Sequence, residues 1–203
     1  MNYTLIAGFI SFSLVSGFTP GPNNLIALAT GANFGYRRTL PHVFGVVLGF
    51  NIMFFLMGAG LAGLFKAVPL AHEILRWASL AYLLFLAWKI ATSTGFGSRK
   101  SEEADAKPIT FIGSAAFQWI NPKAWFAAIT LVTAFTDPAA YWISLAAGGI
   151  INIFIAFSSV SSWALFGTLL KKWLEHPVRL RVFNWAMAVL LVVSVVPSVL
   201  KAH

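Results

Sequence analysis

Apolar runs of about 20 residues recur from one end of this chain to the other, and a run of that length crosses a hydrocarbon core of roughly 30 Å as an α-helix. A soluble domain carries about a quarter of its residues charged. Here 10% of 203 residues are charged and 59% are hydrophobic, with a mean hydropathy of +0.80. The sequence therefore predicts a single membrane domain over residues 1–203, with no second, soluble one. Residues 1–4 hold no Lys or Arg, and Pro20 and Pro22 interrupt the first apolar run. That run is expected to stay as a helix rather than to leave as a signal peptide.

The expected fold is an all-α integral membrane protein with six transmembrane helices. They are read at residues 3–34, 42–65, 74–92, 109–135, 142–170 and 182–200. The first is interrupted at Thr19-Pro20-Gly21-Pro22-Asn23 and the fourth at Asn121-Pro122. Residues 93–108 form the only long polar stretch and read as a solvated linker. Arg37, Arg38, Lys89, Arg99, Lys100, Lys107, Lys171, Lys172, Arg179 and Arg181 collect on one side of these spans. Lys66, Arg76 and Lys201 collect on the other. Ten against three puts the linker in the cytoplasm and both termini outside a bacterial inner membrane. The basic excess suits contact with anionic membrane lipids better than with nucleic acid. The chain has no cysteine, which excludes disulfides, a thiol relay and a thiolate metal site.

Both interruptions fall near the bilayer centre. Pro20 and Pro22 remove N–H donors and free the carbonyls of Ser16 and Phe18, with Gly21 between them loosening the backbone. Unpaired backbone at that depth persists only inside protein or along a wet cavity. A plain proline kink is the simpler reading. The breaks also correspond. Pro22 pairs with Pro122, Asn51-Ile52 with Asn152-Ile153, and Trp77-Ala78 with Trp185-Ala186, in order and at nearly one spacing. Three helices followed by three make an inverted-topology repeat, with halves at about 1–92 and 109–203 and helices 1 and 4 discontinuous. Secondary transporters of this plan bind substrate on discontinuous helices at the repeat interface. Chance matching in a low-complexity apolar sequence is the competing explanation.

After each break a half-helix begins at mid-membrane, with Pro22 or Pro122 in its first turn. A helix start carries partial positive charge and unpaired N–H groups. Two such starts suit a carboxylate, and the freed carbonyls upstream suit an ammonium, so a zwitterion fits. Candidate binding residues are Pro20, Gly21, Pro22, Asn23, Asn24, Asn51, Asn121, Pro122, Lys123 and Asn152. Lys123 is the one charge near a span centre, and an intramembrane charge is a functional candidate by default. It can hold a substrate carboxylate, exchange a proton, or simply cap carbonyls of a break. The asparagines both donate and accept, although helix–helix bonding alone accounts for many such residues. Ser158, Ser159, Ser161 and Ser162 are read as packing residues, and Gly45, Gly49 and Gly58-Ala59-Gly60 as points of close helix approach.

Glu73, Glu102, Glu103, Asp105, Asp137 and Glu175 all lie in loops or at span edges, and His42, His72, His176 and His203 read as peripheral. The sequence therefore offers no metal cluster, no acid/base pair and no nucleophile–base set. It also lacks a phosphate-binding Gly-rich loop. No cofactor and no enzyme activity are expected.

Phe18-Thr19-Pro20-Gly21-Pro22-Asn23-Asn24, followed by Gly35-Tyr36-Arg37-Arg38, resembles the first-helix signature of the lysine exporter / homoserine–threonine resistance (LysE/RhtB) family. Asn121-Pro122-Lys123-Ala124-Trp125 is similar to the family's fourth-helix motif. Residues 87–92 and 107–109 look closest to the cysteine/O-acetylserine exporter branch. The resemblance covers essentially the whole chain. It implies efflux of small neutral amino acids or their derivatives, with the proton as coupling ion, and is compatible with a homo-oligomer. A passive channel, or an exporter of another small solute, is the alternative.

Overall fold

A computed structural model describes residues 3–61, 69–93 and 108–200. The polar linker and both chain ends therefore lie largely outside the described residues. The described chain is all helix: α1 Tyr3–Phe18, α2 Pro22–Phe34, α3 Tyr36–Leu56, α4 Pro69–Ala91, α5 Phe111–Gln118, α6 Pro122–Phe135, α7 Tyr141–Leu170 and α8 Pro177–Leu200. A π-turn over Met57–Leu61 extends α3, and short 3-10 turns precede α7 and α8.

Three stretches are long and apolar enough to cross a membrane unaided: Tyr36–Gly60, Pro138–Leu170 and Pro177–Ser194. A fourth qualifies if α1 and α2 count together, and these two helices bend by 49° at their junction. Leu80–Ala91 and Pro122–Phe135 are apolar but shorter. The fold is thus a multi-pass helical membrane protein.

The centre of the bundle is α2, with 11 of its 13 residues buried. It packs most extensively on α7 and also on α3 and α8. Helix α3 lies between α5 and α7, α1 lies against α6 and α7, and α4 pairs with α8. Leu25 and Leu28 of α2 meet Leu83 and Leu86 of α4, Phe117 of α5 and Leu191 of α8 in one core cluster. Phe9, Met53, Phe54, Leu131 and Leu145 form a second. Val15, Ile112, Phe126, Ile143, Phe154 and Leu169 stand exposed on the outside. In water that would be a liability; against lipid tails it is the expected surface.

Local chemistry explains the joints. Gly35, at φ 82°, lets α2 stop and α3 start with no linker. A Cβ at Gly45 would stand 2.4 Å from the Phe111 carbonyl, and one at Gly49 would stand 2.7 Å from Ala115 Cα. These two glycines therefore set the close α3–α5 approach, as expected. Gly60 does something else: at φ 105° it ends the π-turn rather than seating a neighbour. Helix α3 also begins six residues earlier than expected, with Pro41 inside it. Pro41 is the sixth residue of α3, past the four N–H groups that a helix start leaves unpaired, so it costs the helix its bond to the Arg37 carbonyl.

One end of the bundle is tied by a polar knot. Asn33 of α2 and Asn184 of α8 exchange amide hydrogen bonds of 2.8 and 3.1 Å. Ser93, just past α4, donates to Asn33 at 3.0 Å and accepts from Asn184 at 2.8 Å. Nothing in the apolar periodicity marks these three residues as partners.

Candidate functional site

The two breaks differ in how their backbone is satisfied. At the end of α1 the carbonyls are collected by side chains. Thr19 Oγ1 donates to Val15 O and Ser16 O. Gly17 O accepts from Asn24 at 2.7 Å and Ser159 at 2.8 Å. Phe18 O accepts from the Trp163 indole at 3.3 Å, and Thr19 O from Asn24 at 3.0 Å. Ser159 is therefore more than packing. The freed carbonyls expected to receive a substrate ammonium are already partnered from within the protein. A buried carbonyl demands this wherever water is absent.

Lys123 adds a charged donor to this set. Its ammonium reaches from the first turn of α6 to Thr19 O at 2.8 Å and Pro20 O at 3.4 Å. A cation in a helix's first turn is unfavourable to its own helix, whereas at the carbonyl end of another it is favourable. The long side chain resolves the conflict by crossing from the start of α6 to the end of α1. It passes over Gly21, where a Cβ would stand 2.8 Å from Lys123 Nζ. Of the roles open to Lys123 in the sequence, this geometry displays the cap on the carbonyls of a break.

The two half-helix starts are also unequal. The Asn121 side chain caps α6, accepting from Lys123 N at 3.2 Å. No side chain caps α2, whose N-cap is Gly21. The expectation of two open positive ends is thus corrected to one, because asparagine before the proline at Pro122 carries its own cap and glycine before Pro22 has none to offer.

Below the α2 start lies a ring of polar groups. Asn23 donates to Gln118 Oε1 at 2.8 Å, and Gln118 donates back to Asn23 Oδ1 at 3.2 Å. Gln118 also donates to the Ser114 carbonyl at 2.8 Å. His42 closes the ring, its Nε2 3.1 Å from the Asn23 carbonyl and its Nδ1 2.8 Å from Ser114 Oγ. His42 is fully buried, which overturns its reading as peripheral. The early start of α3 carries it about two turns into the bundle, roughly 9 Å along the axis.

Above this ring is a cavity of ≈ 90 Å³, walled by α1, α2, α3, α5, α6 and α7. Of the residues singled out in the sequence, Gly21, Pro22, Asn23, Asn24, Asn121, Lys123 and Asn152 line it. Pro20, Asn51 and Pro122 do not. Ser13, Ser16, Gln118 and Ser159 also line it and were missed. Small polar residues on apolar helices carry no periodic signal. Asn152 accepts from Ser13 at 3.3 Å, and its Nδ2 has no partner; Asn51 donates to Val47 O at 2.9 Å, and its Oδ1 has none. The antiparallel α3–α7 packing sets Gly58 against Leu145 and Phe54 against Gly148. Continued by one turn, it brings Asn51 level with Asn152. Among the described residues there is no group of three or more potential metal ligands.

Comparisons of the sequence with known proteins show its kinship. The profile of the LysE type translocator matches residues 14–196. The cysteine/O-acetylserine efflux protein of Escherichia coli strain K12 is 34% identical over 196 residues, covering 95% of this chain and 96% of its own. The protein of the same name from Shigella sonnei strain Ss046 gives the same figures. That of E. coli O139:H28 is 35% identical over 176 residues, 85% of this chain and 87% of its own. No solved structure matches. A family match running from near the end of α1 to the last turns of α8, with relatives at a third identity over nearly the full length, settles the kinship: this chain belongs to the LysE type translocator family.

Proposed function

We propose that the chain is a secondary active exporter of small neutral amino acids or their derivatives, of the cysteine/O-acetylserine or homoserine/threonine type, driven by the proton gradient. The observation that carries the reading is the cavity at the two breaks, where the uncapped start of α2 and the Lys123 ammonium converge. Together they suit a carboxylate. A water needs about 10–15 Å³ of such space, so the cavity takes a molecule the size of serine, cysteine or homoserine. The unpartnered Nδ2 of Asn152, on the cavity wall, offers one more donor to a substrate carboxylate. The names of the relatives, cysteine/O-acetylserine efflux proteins, point to the same substrates. Pro20, Gly21, Pro22, Asn23, Asn24, Asn121 and Pro122 build and orient the site.

The same reading takes α1–α2 and α5–α6 as broken counterparts, α3 with α7 and α4 with α8, in a 3+3 inverted repeat of six spans. Overexpression should raise extracellular cysteine, O-acetylserine, homoserine or threonine, measured by amino-acid profiling of the medium. An unchanged profile would sink the proposal. Vesicle counterflow separates it from a passive channel, which shows no exchange acceleration.

Orientation follows from the basic residues. Arg37, Arg38, Lys89, Lys171 and Lys172 flank the end of the bundle where Asn33, Ser93 and Asn184 meet, so that end is taken as cytoplasmic. Alkaline phosphatase fused after Lys201 should be active, and fused after Lys100 inactive. The reverse pattern would overturn the orientation.

A further inference from the structure

An exporter driven by protons needs a group that binds one, and the described spans hold no carboxylate at mid-depth. Two basic side chains stand near the cavity. Lys123 spends its donors on two carbonyls at the end of α1. His42 bonds through both ring nitrogens, and imidazole is the side chain whose ordinary titration spans neutral pH.

We propose that His42 is the proton-binding residue of the exporter, and that charging it opens the floor of the cavity formed by the Asn23–Gln118 amide pair. The inference rests on the transporter reading above and on its orientation, which places this floor on the cytoplasmic side.

The hydrogen bonds define the neutral state. The Asn23 carbonyl can only accept, so His42 Nε2 carries a hydrogen. In the neutral ring, Nδ1 then accepts from the Ser114 hydroxyl. A second proton, taken up on Nδ1, inverts that bond. Nδ1–H donates to Ser114 Oγ, and the serine hydroxyl hydrogen turns to its own helix, toward the Thr110 carbonyl one turn back, the usual back-bond of a helical serine. Every donor keeps an acceptor, so the proton can be held.

The charge, however, is not compensated. Helix α3 packs on α2, α5, α6 and α7. Among their described residues the only charged group is Lys123, of like sign, and the only other titratable one is Tyr141, at the far end of α7. On α3 itself the charged groups are Arg37 and Arg38, also cations, and Tyr36 donates to Ser161. An enclosed cation with no counter-charge is costly. The Asn23–Gln118 pair stands between the ring and the cavity, so parting it lets water reach the charge. Protonation therefore favours opening toward the cytoplasm, where the proton leaves. The neutral ring then lets the floor close over a bound substrate. That order of events exchanges one proton for one substrate.

The test uses the full-length protein in proteoliposomes. It follows L-cysteine, or whichever amino acid accumulates in the medium profile. Two rates are measured: equilibrium exchange without a gradient, and efflux accelerated by an imposed pH gradient. Glutamine at position 42 offers a neutral donor and acceptor in place of the neutral ring, without the titration. His42→Gln should keep equilibrium exchange and lose the acceleration by the gradient. His42→Asn should do the same, guarding against a local packing fault in one variant. Acceleration retained in either exchange-competent variant overturns the proposal. So does loss of exchange in both variants while they remain folded and monodisperse, since that marks His42 as structural. A parent protein that exchanges substrate but ignores the gradient overturns proton coupling as a whole, and this proposal with it, while leaving the exporter reading intact.

Discussion

Replacing Lys123 with methionine should abolish efflux and leave a membrane-inserted protein of reduced heat stability. Methionine keeps the length of the stem and removes the charge. The Thr19 and Pro20 carbonyls then lose their shared ammonium, although Thr19 O keeps Asn24. A hydrogen bond to a charged group contributes about 1.5–3 kcal/mol, so the intact site becomes less populated by about 10- to 100-fold. The carboxylate side of the cavity loses its only cation at the same time. Lys123→Arg keeps the charge and the donors, and should recover most of the stability. Its planar head takes up part of a cavity of only ≈ 90 Å³, so its efflux should stay well below that of the parent. Thermal unfolding in detergent and efflux from expression-matched cells separate the two roles. Efflux at the parent rate by Lys123→Met would reduce this lysine to a structural cap.

The paired change Pro20→Ala with Pro22→Ala should leave the protein in the membrane and stop transport. A proline inside a helix costs about 3 kcal/mol or more, so removing two tilts the junction toward one continuous helix. In that helix the Asn23 N–H bonds the Thr19 carbonyl and the Asn24 N–H bonds the carbonyl at position 20. Those carbonyls are the ones Lys123 now holds, and those N–H groups form the open start of α2. Straightening therefore consumes both halves of the candidate site together and removes the 49° bend. Normal efflux by a well-expressed double variant would show that the bend is only a kink.

Membrane residence and the positions of both breaks could be read along the chain, because each depends on local properties. Apolar length decides what a bilayer accepts, and a proline interrupts a helix wherever it falls. The helix stops at Phe18 and Gln118 and restarts at Pro22 and Pro122, as the residues around each proline require. The family motifs were legible for the same reason, since they are these interruptions. The difference between the two starts was legible too, in Asn121 against Gly21, once each residue is asked what cap it can offer.

What the sequence could not disclose is which groups meet. Lys123 and Thr19 are 104 positions apart, and their bond exists because α6 begins where α1 ends. His42 follows two arginines and a proline, the look of a span edge; its depth was decided by α3 starting at Tyr36 and by α5 approaching close enough for Ser114 to reach it. Asn33, Ser93 and Asn184 sit on three separate elements, and only packing made them one knot. Local sequence determined where this backbone lacks partners, because donors and acceptors are lost residue by residue. Tertiary structure alone decided which side chains supply them, because in a low-dielectric interior a freed backbone group pairs with whichever side chain the packing brings within about 3 Å.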